Sequence, residues 1–398
     1  MNKKSNQTSK SIFGTTIQYY ITDKCLQGCP HCASFNQKMI DMSPTIFKTT
    51  IRSLKNQGVK RIELFANDPI LHPQIDKFIE ILEQSKLNYA ILTIGDSFKF
   101  SEVKKIFKRL LQKINPNKGG FVFSVDYTLK SANKILKNGY NAYAFKAKTF
   151  WDMAPQLQAT NIPIRINAVI TKHNIKEIPK IIKQATEIGF GASFCFAQTI
   201  RKDFEELFKR GLTPQLEKEF RAFLQKYELL NKKEIDKIIK QAQKIVDNQE
   251  LKPFNIFRGI DRSEEKISKK DLEILREKLL KLKRNKKIGN NILPNEEFIN
   301  NLGKKNIGCF NLLKQGVFPQ LKVASSGQAQ FCCDLIDPNT SQYSIQELDN
   351  QIKQKEFLKM LRRNPYILIC LYFNPCSFSV NYVQYRVKSQ NKPIFPKL

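Results

Sequence analysis

Three cysteines near the start of the chain, Cys25, Cys29 and Cys32, have the residue type and spacing for metal chemistry. They lie in Ile21-Thr22-Asp23-Lys24-Cys25-Leu26-Gln27-Gly28-Cys29-Pro30-His31-Cys32, a C-x3-C-x2-C run directly behind an apolar strand. Three thiolates hold a 4Fe–4S cluster and leave its fourth iron open, and an open iron binds a small molecule and passes it an electron. Two plainer readings stand beside this one. Zinc also takes thiolates, but a structural zinc site is four-coordinate and usually shows paired C-x2-C knuckles. His31 adjoins Cys32, so those two do not readily ligate one tetrahedral ion. Free cysteines also pack as small buried hydrophobes.

The cysteine run resembles the signature of the radical SAM superfamily, in which the methionyl amino and carboxylate groups of S-adenosylmethionine occupy the free iron. Further residues carry the same resemblance. Phe65-Ala66-Asn67-Asp68-Pro69 is similar to the superfamily's Gly-Gly-Glu-Pro segment, which lies against the cofactor's amino group. Here Ala66 and Asn67 replace both glycines and Asp68 stands for the glutamate; the plain alternative is a turn, which these residues favour. Thr93-Ile94-Gly95 resembles the family's Thr-Asn-Gly. The resemblance also implies cofactor contacts from Ser124 and Asp126 on one strand, from Arg165 and Asn167 on the next, and from His31 near the adenine. Side chains alternate along a strand, so Ser124 and Asp126 share a face, as do Arg165 and Asn167.

A second cysteine group, Cys309, Cys332, Cys333, Cys370 and Cys376, lies in the last quarter of the chain. Two apolar runs meet at Ser326-Gly327 as in a hairpin. Gly327 to Cys332 gives a G-x4-C step, and Cys370-x5-Cys376 matches the middle of a longer cysteine run whose outer positions are Ile367 and Val380 here. This region resembles the SPASM/twitch extensions of radical SAM enzymes. It implies a second, auxiliary 4Fe–4S cluster held by Cys309, Cys332, Cys370 and Cys376, with Cys333 as the alternative to Cys332. Zinc is the rival occupant. Cys195, at a strand end, reads as a buried core cysteine, with an approach to the substrate as the alternative.

The elements that must position these groups alternate. Strands are expected at Thr15–Thr22, Arg61–Ala66, Tyr89–Ile94, Gly120–Asp126, Ile162–Ile170 and Gly191–Phe196. Helices are expected near Pro44–Gln57, Pro73–Gln84, Ser101–Lys113, Tyr143–Gln158 and Lys176–Ile188. Ser43 before Pro44 reads as an N-cap and first helical position. Strand–helix alternation argues for an α/β fold with a parallel sheet, and six units fall short of a closed eight-stranded barrel. The expected architecture is a partial (β/α)6 TIM-like barrel with a helical insertion and a small C-terminal cysteine-containing hairpin and helix domain. The divisions are 12–200 for the barrel, 201–305 for the insertion and linker, and 306–385 for the auxiliary domain. In the insertion, Leu216, Phe220, Phe223, Leu224 and Tyr227 recur at helical spacing, as do Ile235, Ile238, Ile239, Ala242 and Val246.

Composition excludes several classes. No apolar run approaches the ~20 residues of a membrane helix, and no apolar stretch follows the N-terminal lysines as in a secretory signal. A cytoplasmic location follows, suited to nine cysteines kept as thiols or cluster ligands. Three histidines give little material for a histidine metal site or a Ser-His-Asp triad, and no phosphate-binding G-x4-G-K-[ST] loop is present. The formal net charge of +31 is the outlying number. Solvated helix faces account for most of it; the remainder favours a polyanionic partner such as an acidic peptide.

The resemblance implies a radical SAM enzyme, expected to cleave S-adenosylmethionine reductively to a 5′-deoxyadenosyl radical that abstracts hydrogen from a peptide or small molecule, with flavodoxin or ferredoxin as electron donor. The alternative is a catalytically lapsed iron–sulfur or zinc protein that binds nucleic acid or another polyanion.

Overall fold

The computed structural model describes residues 16–26, 41–65, 67–196, 207, 210–226, 230–247, 267–294, 296–300, 302, 321–323, 329–331, 344–365 and 368. Cys29, His31, Cys32, Ala66, Cys309, Cys332, Cys333, Cys370 and Cys376 lie outside that set, so the expectations that fall on them have no structural counterpart below.

Six strands, β1 (Thr16–Tyr19), β2 (Arg61–Leu64), β3 (Asn88–Thr93), β4 (Phe121–Ser124), β5 (Ile164–Ile170) and β6 (Gly191–Phe196), pair in parallel and in sequence order. Between them run α1 (Pro44–Asn56), α2 (Ile75–Ser85), α3 (Ser101–Lys113), α4 (Leu129–Leu136), α5 (Ala142–Gln158) and α6 (Ile178–Glu187). The strands are buried along almost their whole length, as expected when helices cover one face and the other turns inward. Each helix presents an apolar stripe to the sheet: Phe47, Ile51 and Leu54 on α1, and Ile178, Ile181, Ile182 and Ala185 on α6. Ser43 caps α1 as expected, its side chain accepting from the N–H of Ile46 at 3.2 Å.

The sheet curls into a half-barrel. Glu63 on β2 and Arg165 on β5 are separated by two whole strands, yet their charged groups lie 3.7 Å apart. Across a flat sheet three strand spacings would hold their backbones ~14 Å apart with side chains projecting in parallel. Both side chains therefore point into a concavity.

Both edges of the six-stranded sheet are met by later chain. On the β1 side, β7 (Leu321–Val323) pairs parallel to β1 and antiparallel to β8 (Ala329–Phe331). The two strands pair as the expected hairpin requires, its turn at Ser326-Gly327 lying outside the described residues, and they extend the barrel sheet to eight strands. On the β6 side, Ile292 bridges Ala192, and the N–H of Leu293 donates to the Ala192 carbonyl at 2.9 Å. Lys283 holds this segment through the carbonyls of Gly289 (3.0 Å) and Ile292 (2.5 Å). Gly289 must be glycine, because a Cβ there would stand 2.0 Å from the Lys283 carbonyl oxygen.

The insertion builds α7 (Pro214–Gln225), α8 (Lys232–Asp247) and α9 (Lys269–Arg284), followed by the short α10 (Glu296–Asn300); α11 (Gln351–Arg363) comes after the hairpin. Helix α9 joins the barrel core through Leu275 and Leu279. Helices α7 and α8 instead share a separate small core with Leu207, Leu212 and Leu368.

Candidate active site at the strand ends

The segment carrying Cys25 leaves β1 and is clamped where the chain returns. Thr22 and Asp41 form an antiparallel bridge, and the N–H of Met42 donates to the Ile21 carbonyl at 2.8 Å. The Asp41 carboxylate accepts from the Thr22 hydroxyl and the Lys24 ammonium, both at 2.6 Å. Burial alone would raise the Asp41 pKa, but these two donors hold it below the usual value. His72 braces the same return: its Nδ1 accepts from the N–H of Gln74 at 2.9 Å, which leaves Nε2–H to donate to the Met42 carbonyl at 3.0 Å. Burial lowers the His72 pKa and keeps that ring neutral. Cys25 itself is half-buried just inside the clamp.

The turn after β2 is fastened to this segment. The N–H of Asp68 donates to the Lys24 carbonyl at 3.0 Å, and Asn67 Nδ2 to the Thr22 carbonyl at 3.3 Å. Asn67 has φ +51°, the left-handed conformation that glycine adopts freely and asparagine tolerates best among other residues. Asn67 thus takes a backbone path at this turn that most residues avoid.

Asp68 is 1% exposed. Its Oδ2 accepts from the Ser97 hydroxyl at 2.6 Å, whereas Oδ1 makes no hydrogen bond of good geometry with a described residue. Burial pushes the carboxyl up to about 6; Ser97, Thr93 and the N–H groups of Ile70 and Ile94 lie near enough to oppose that rise without cancelling it. Asn67 Oδ1 and Thr93 Oγ1 are likewise buried without a hydrogen bond among the described residues. Bare, desolvated acceptor oxygens beside the cysteine segment are costly to a protein on its own. They fit a cationic donor such as an ammonium group, so the residues present suit the amino end of S-adenosylmethionine.

The other strand ends form a polar floor. Lys146, from the first turns of α5, is 1% exposed and reaches over β4 to Asp126 Oδ2 at 2.6 Å and Ser124 Oγ at 2.9 Å. Asp126 Oδ1 accepts from the N–H of Val169 at 3.0 Å, tying β4 to β5. Ser124 and Asp126 do lie on one side, but the lysine engages both. On β5, Asn167 faces the same concavity as Arg165. Its Oδ1 accepts from Ser193 Oγ at 3.0 Å, and its Nδ2 approaches Cys195 Sγ at 3.6 Å. Burial pushes the Cys195 thiol up to about 12, which makes it an inert neutral group at neutral pH.

Sequence reasoning missed three residues here. Lys146 reads as one more lysine in a lysine-rich chain, and the only signal of its burial is its place among Ala144, Ala147 and Phe150 on the covered face of α5. Ser97 and Glu63 carry no motif. Each becomes visible only when the curled sheet brings its partner near.

The site thus combines a parallel half-barrel, a segment behind β1 that carries Cys25, and acceptor oxygens behind β2 that make no hydrogen bond among the described residues. No family model matches the chain. In sequence it is similar to the PqqA peptide cyclase of Gluconobacter oxydans (strain 621H), with 21% identity over 176 residues, 43% of this chain and 46% of that protein. The chain thus matches about half the length of this curated relative. In fold it is similar to anSMEcpe with bound AdoMet and Cp18Cys peptide, at TM-score 0.51 and 13% identity, covering 94% of this chain and 97% of that one. SuiB of Streptococcus suis bound to S-adenosylmethionine aligns at TM-score 0.40 and 18% identity, over 48% of this chain and 42% of that one. The likeness to anSMEcpe shows the fold expected of the barrel, and the sequence similarity agrees with the resemblance read from the chain; neither establishes the auxiliary domain. Among the described residues no helix is long and apolar enough to cross a membrane.

Proposed function

We propose that this chain is a radical SAM enzyme acting on a peptide. The observation that carries the reading is the fastening of Asn67 and Asp68 to the Cys25 segment, beside buried acceptor oxygens that make no hydrogen bond to a described residue. Cys25, Cys29 and Cys32 would hold a 4Fe–4S cluster, and Asp68, Asn67 and Thr93 the amino end of S-adenosylmethionine. When bound, that pair supplies a 5′-deoxyadenosyl radical for hydrogen abstraction from the substrate. The chain's own residues do the rest. Asp68 and Asn67 orient the cationic end of the cofactor. The Thr22–Asp41–Lys24 clamp keeps the cysteine segment against them, and the Ser124–Asp126–Lys146 and Asn167–Ser193 groups give the barrel mouth a fixed polar floor. The peptide substrate class is supported by the sequence relative, a peptide cyclase.

The auxiliary site belongs to the same proposal: Cys309, Cys332 or Cys333, Cys370 and Cys376 would hold a second 4Fe–4S cluster beside the β7–β8 hairpin. A flavodoxin or ferredoxin would supply the electron, in the reducing cytoplasm that thiol-ligated clusters suit.

The test is anaerobic reconstitution with iron and sulfide, followed by reduction with S-adenosylmethionine present. Release of 5′-deoxyadenosine, abolished by Cys25→Ala, is the expected result. A fully loaded cluster that releases none would overturn the enzyme reading and leave a lapsed polyanion-binding protein. Iron content of about eight per chain supports the auxiliary cluster, and about four argues against it.

A further inference from the structure

Helix α8 carries Lys233, Lys237, Lys240 and Lys244, all exposed. Their spacing of four, three and four residues places them within a ~60° arc of the helix surface, a row ~16 Å long. The opposite face, Ile235, Ile238, Ile239, Ala242, Ile245 and Val246, is buried in the small core shared with α7. The row is not neutralised from within. Each acid of α8 is engaged elsewhere: Glu234 with Arg363, Asp236 with Arg221, and Asp247 with the Gln243 amide. None of the four lysines makes an ion pair with a described residue. Four like charges at this spacing repel one another, a cost the helix bears only through its buried face.

We infer that this lysine row is a docking surface for an acidic polypeptide segment. The chemistry separates the candidate partners. Surfaces that grip single-stranded nucleic acid interleave aromatic side chains and arginine with the basic residues, and α8 contains neither. Helices that settle into a membrane surface present a free apolar face to the lipid, and that of α8 is spent on its own core. Flexible ammonium groups in a row suit carboxylates, which need charge without planar, bidentate geometry. The row belongs to the insertion and its separate core, so it serves to recruit. That the recruited segment belongs to the substrate rests on the peptide-modifying reading above; the docking itself does not.

The test is fluorescence anisotropy on the full, cluster-reconstituted chain with a labelled oligoglutamate about 20 residues long, enough to span the row when extended. Binding should be seen at low salt and fade as salt rises. K233E/K237E/K240E/K244E should weaken it by about tenfold or more. K48E/R52E/K55E/K60E, an equal charge change on and beside α1, should weaken it by less than about threefold. K233Q/K237Q/K240Q/K244Q, which removes charge without adding any, should fall in the same direction as the first variant and guards against misfolding. Equal losses from the two reversal sets, no loss from either, or tighter row-dependent binding of a single-stranded RNA or of anionic vesicles would overturn the inference. The readout needs no turnover, so failure here leaves the enzyme reading standing, and absence of 5′-deoxyadenosine leaves this one standing.

Discussion

The backbone N–H of Asp68 donates to the carbonyl of Lys24, the residue before Cys25, at 3.0 Å. One hydrogen bond therefore couples the strand-end turn that would orient a cofactor to the segment that would hold iron. The two are joined before any ligand arrives. A bound ammonium group would add a partner for Asp68 Oδ1, which has none among the described residues and whose burial raises the carboxyl's pKa.

That shift has a sign. The Asp68 carboxyl sits at about 6 in the fold against an ordinary 3.8, so the folded state holds its proton more tightly than the unfolded chain. Its contribution is fully present below pH 4 and is lost as pH rises through 6, at a cost of about 3 kcal/mol at neutral pH. Asp68→Asn should therefore stabilise the ligand-free protein by about 2–3 kcal/mol at pH 7 and have little effect at pH 4. The same substitution should weaken S-adenosylmethionine binding by about tenfold or more, having removed the ammonium's counter-charge. Urea unfolding at the two pH values and equilibrium binding check both arms; a variant that is less stable at pH 7 would show that the carboxylate is already compensated.

Asp41 ties the chain on the far side of the cysteine run back to Thr22 and Lys24. Asp41→Ala removes the acceptor for both the Thr22 hydroxyl and the Lys24 ammonium. Because the site is partly exposed, global stability should fall by only about 1 kcal/mol. Iron should nevertheless leave the reconstituted protein several-fold faster under chelator. Chelation kinetics beside a urea midpoint separate the two effects, and an unchanged iron half-life would remove the clamp from the argument.

How much of this could be read from the chain depends on how local the cause is. The six strands appear where β-branched and aromatic runs predict them, and Ser43 and Ser268 cap the helices they precede, because these signals act within a few residues. Helix α4 was not expected: at eight residues, with only Ala132 fully buried beside the partly buried Leu129, Ile135 and Leu136, it is too short for its periodicity to stand out. Helix α2 begins at Ile75 rather than Pro73, after a tight turn over Pro69–Leu71. The hairpin was legible from Ser326-Gly327, whereas its docking against β1 was not, since three-residue strands carry no register signal. In the site, resemblance pointed to Asn67 and Asp68, which the structure places beside the Cys25 segment. Ser97, Lys146 and Glu63 were not found, since each matters only through a partner distant in the chain.

Lys146 and Asp126 bury opposite charges together, 1% and 4% exposed at their side chains. Breaking such a pair from one side strands the other charge, at about 3–5 kcal/mol. Lys146→Met should therefore be severely destabilising. Lys146→Met with Asp126→Asn should recover most of the loss, since the amide oxygen still accepts from Val169 N–H. Chemical denaturation of the two variants checks this, and a double variant no better than the single would place the cost in packing rather than charge.

The curl of the sheet makes the last prediction. Glu63 and Arg165 meet only because β2 and β5 face each other across the concavity. Glu63→Gln and Arg165→Gln, measured alone and together, should show a coupling of about 1–3 kcal/mol, in the range found for buried charges in contact. On an open, flat sheet the same residues would be far enough apart for their effects to add. A double-mutant cycle by urea unfolding reads the difference directly. Additive energies would mean that the concave face does not bring these charges together.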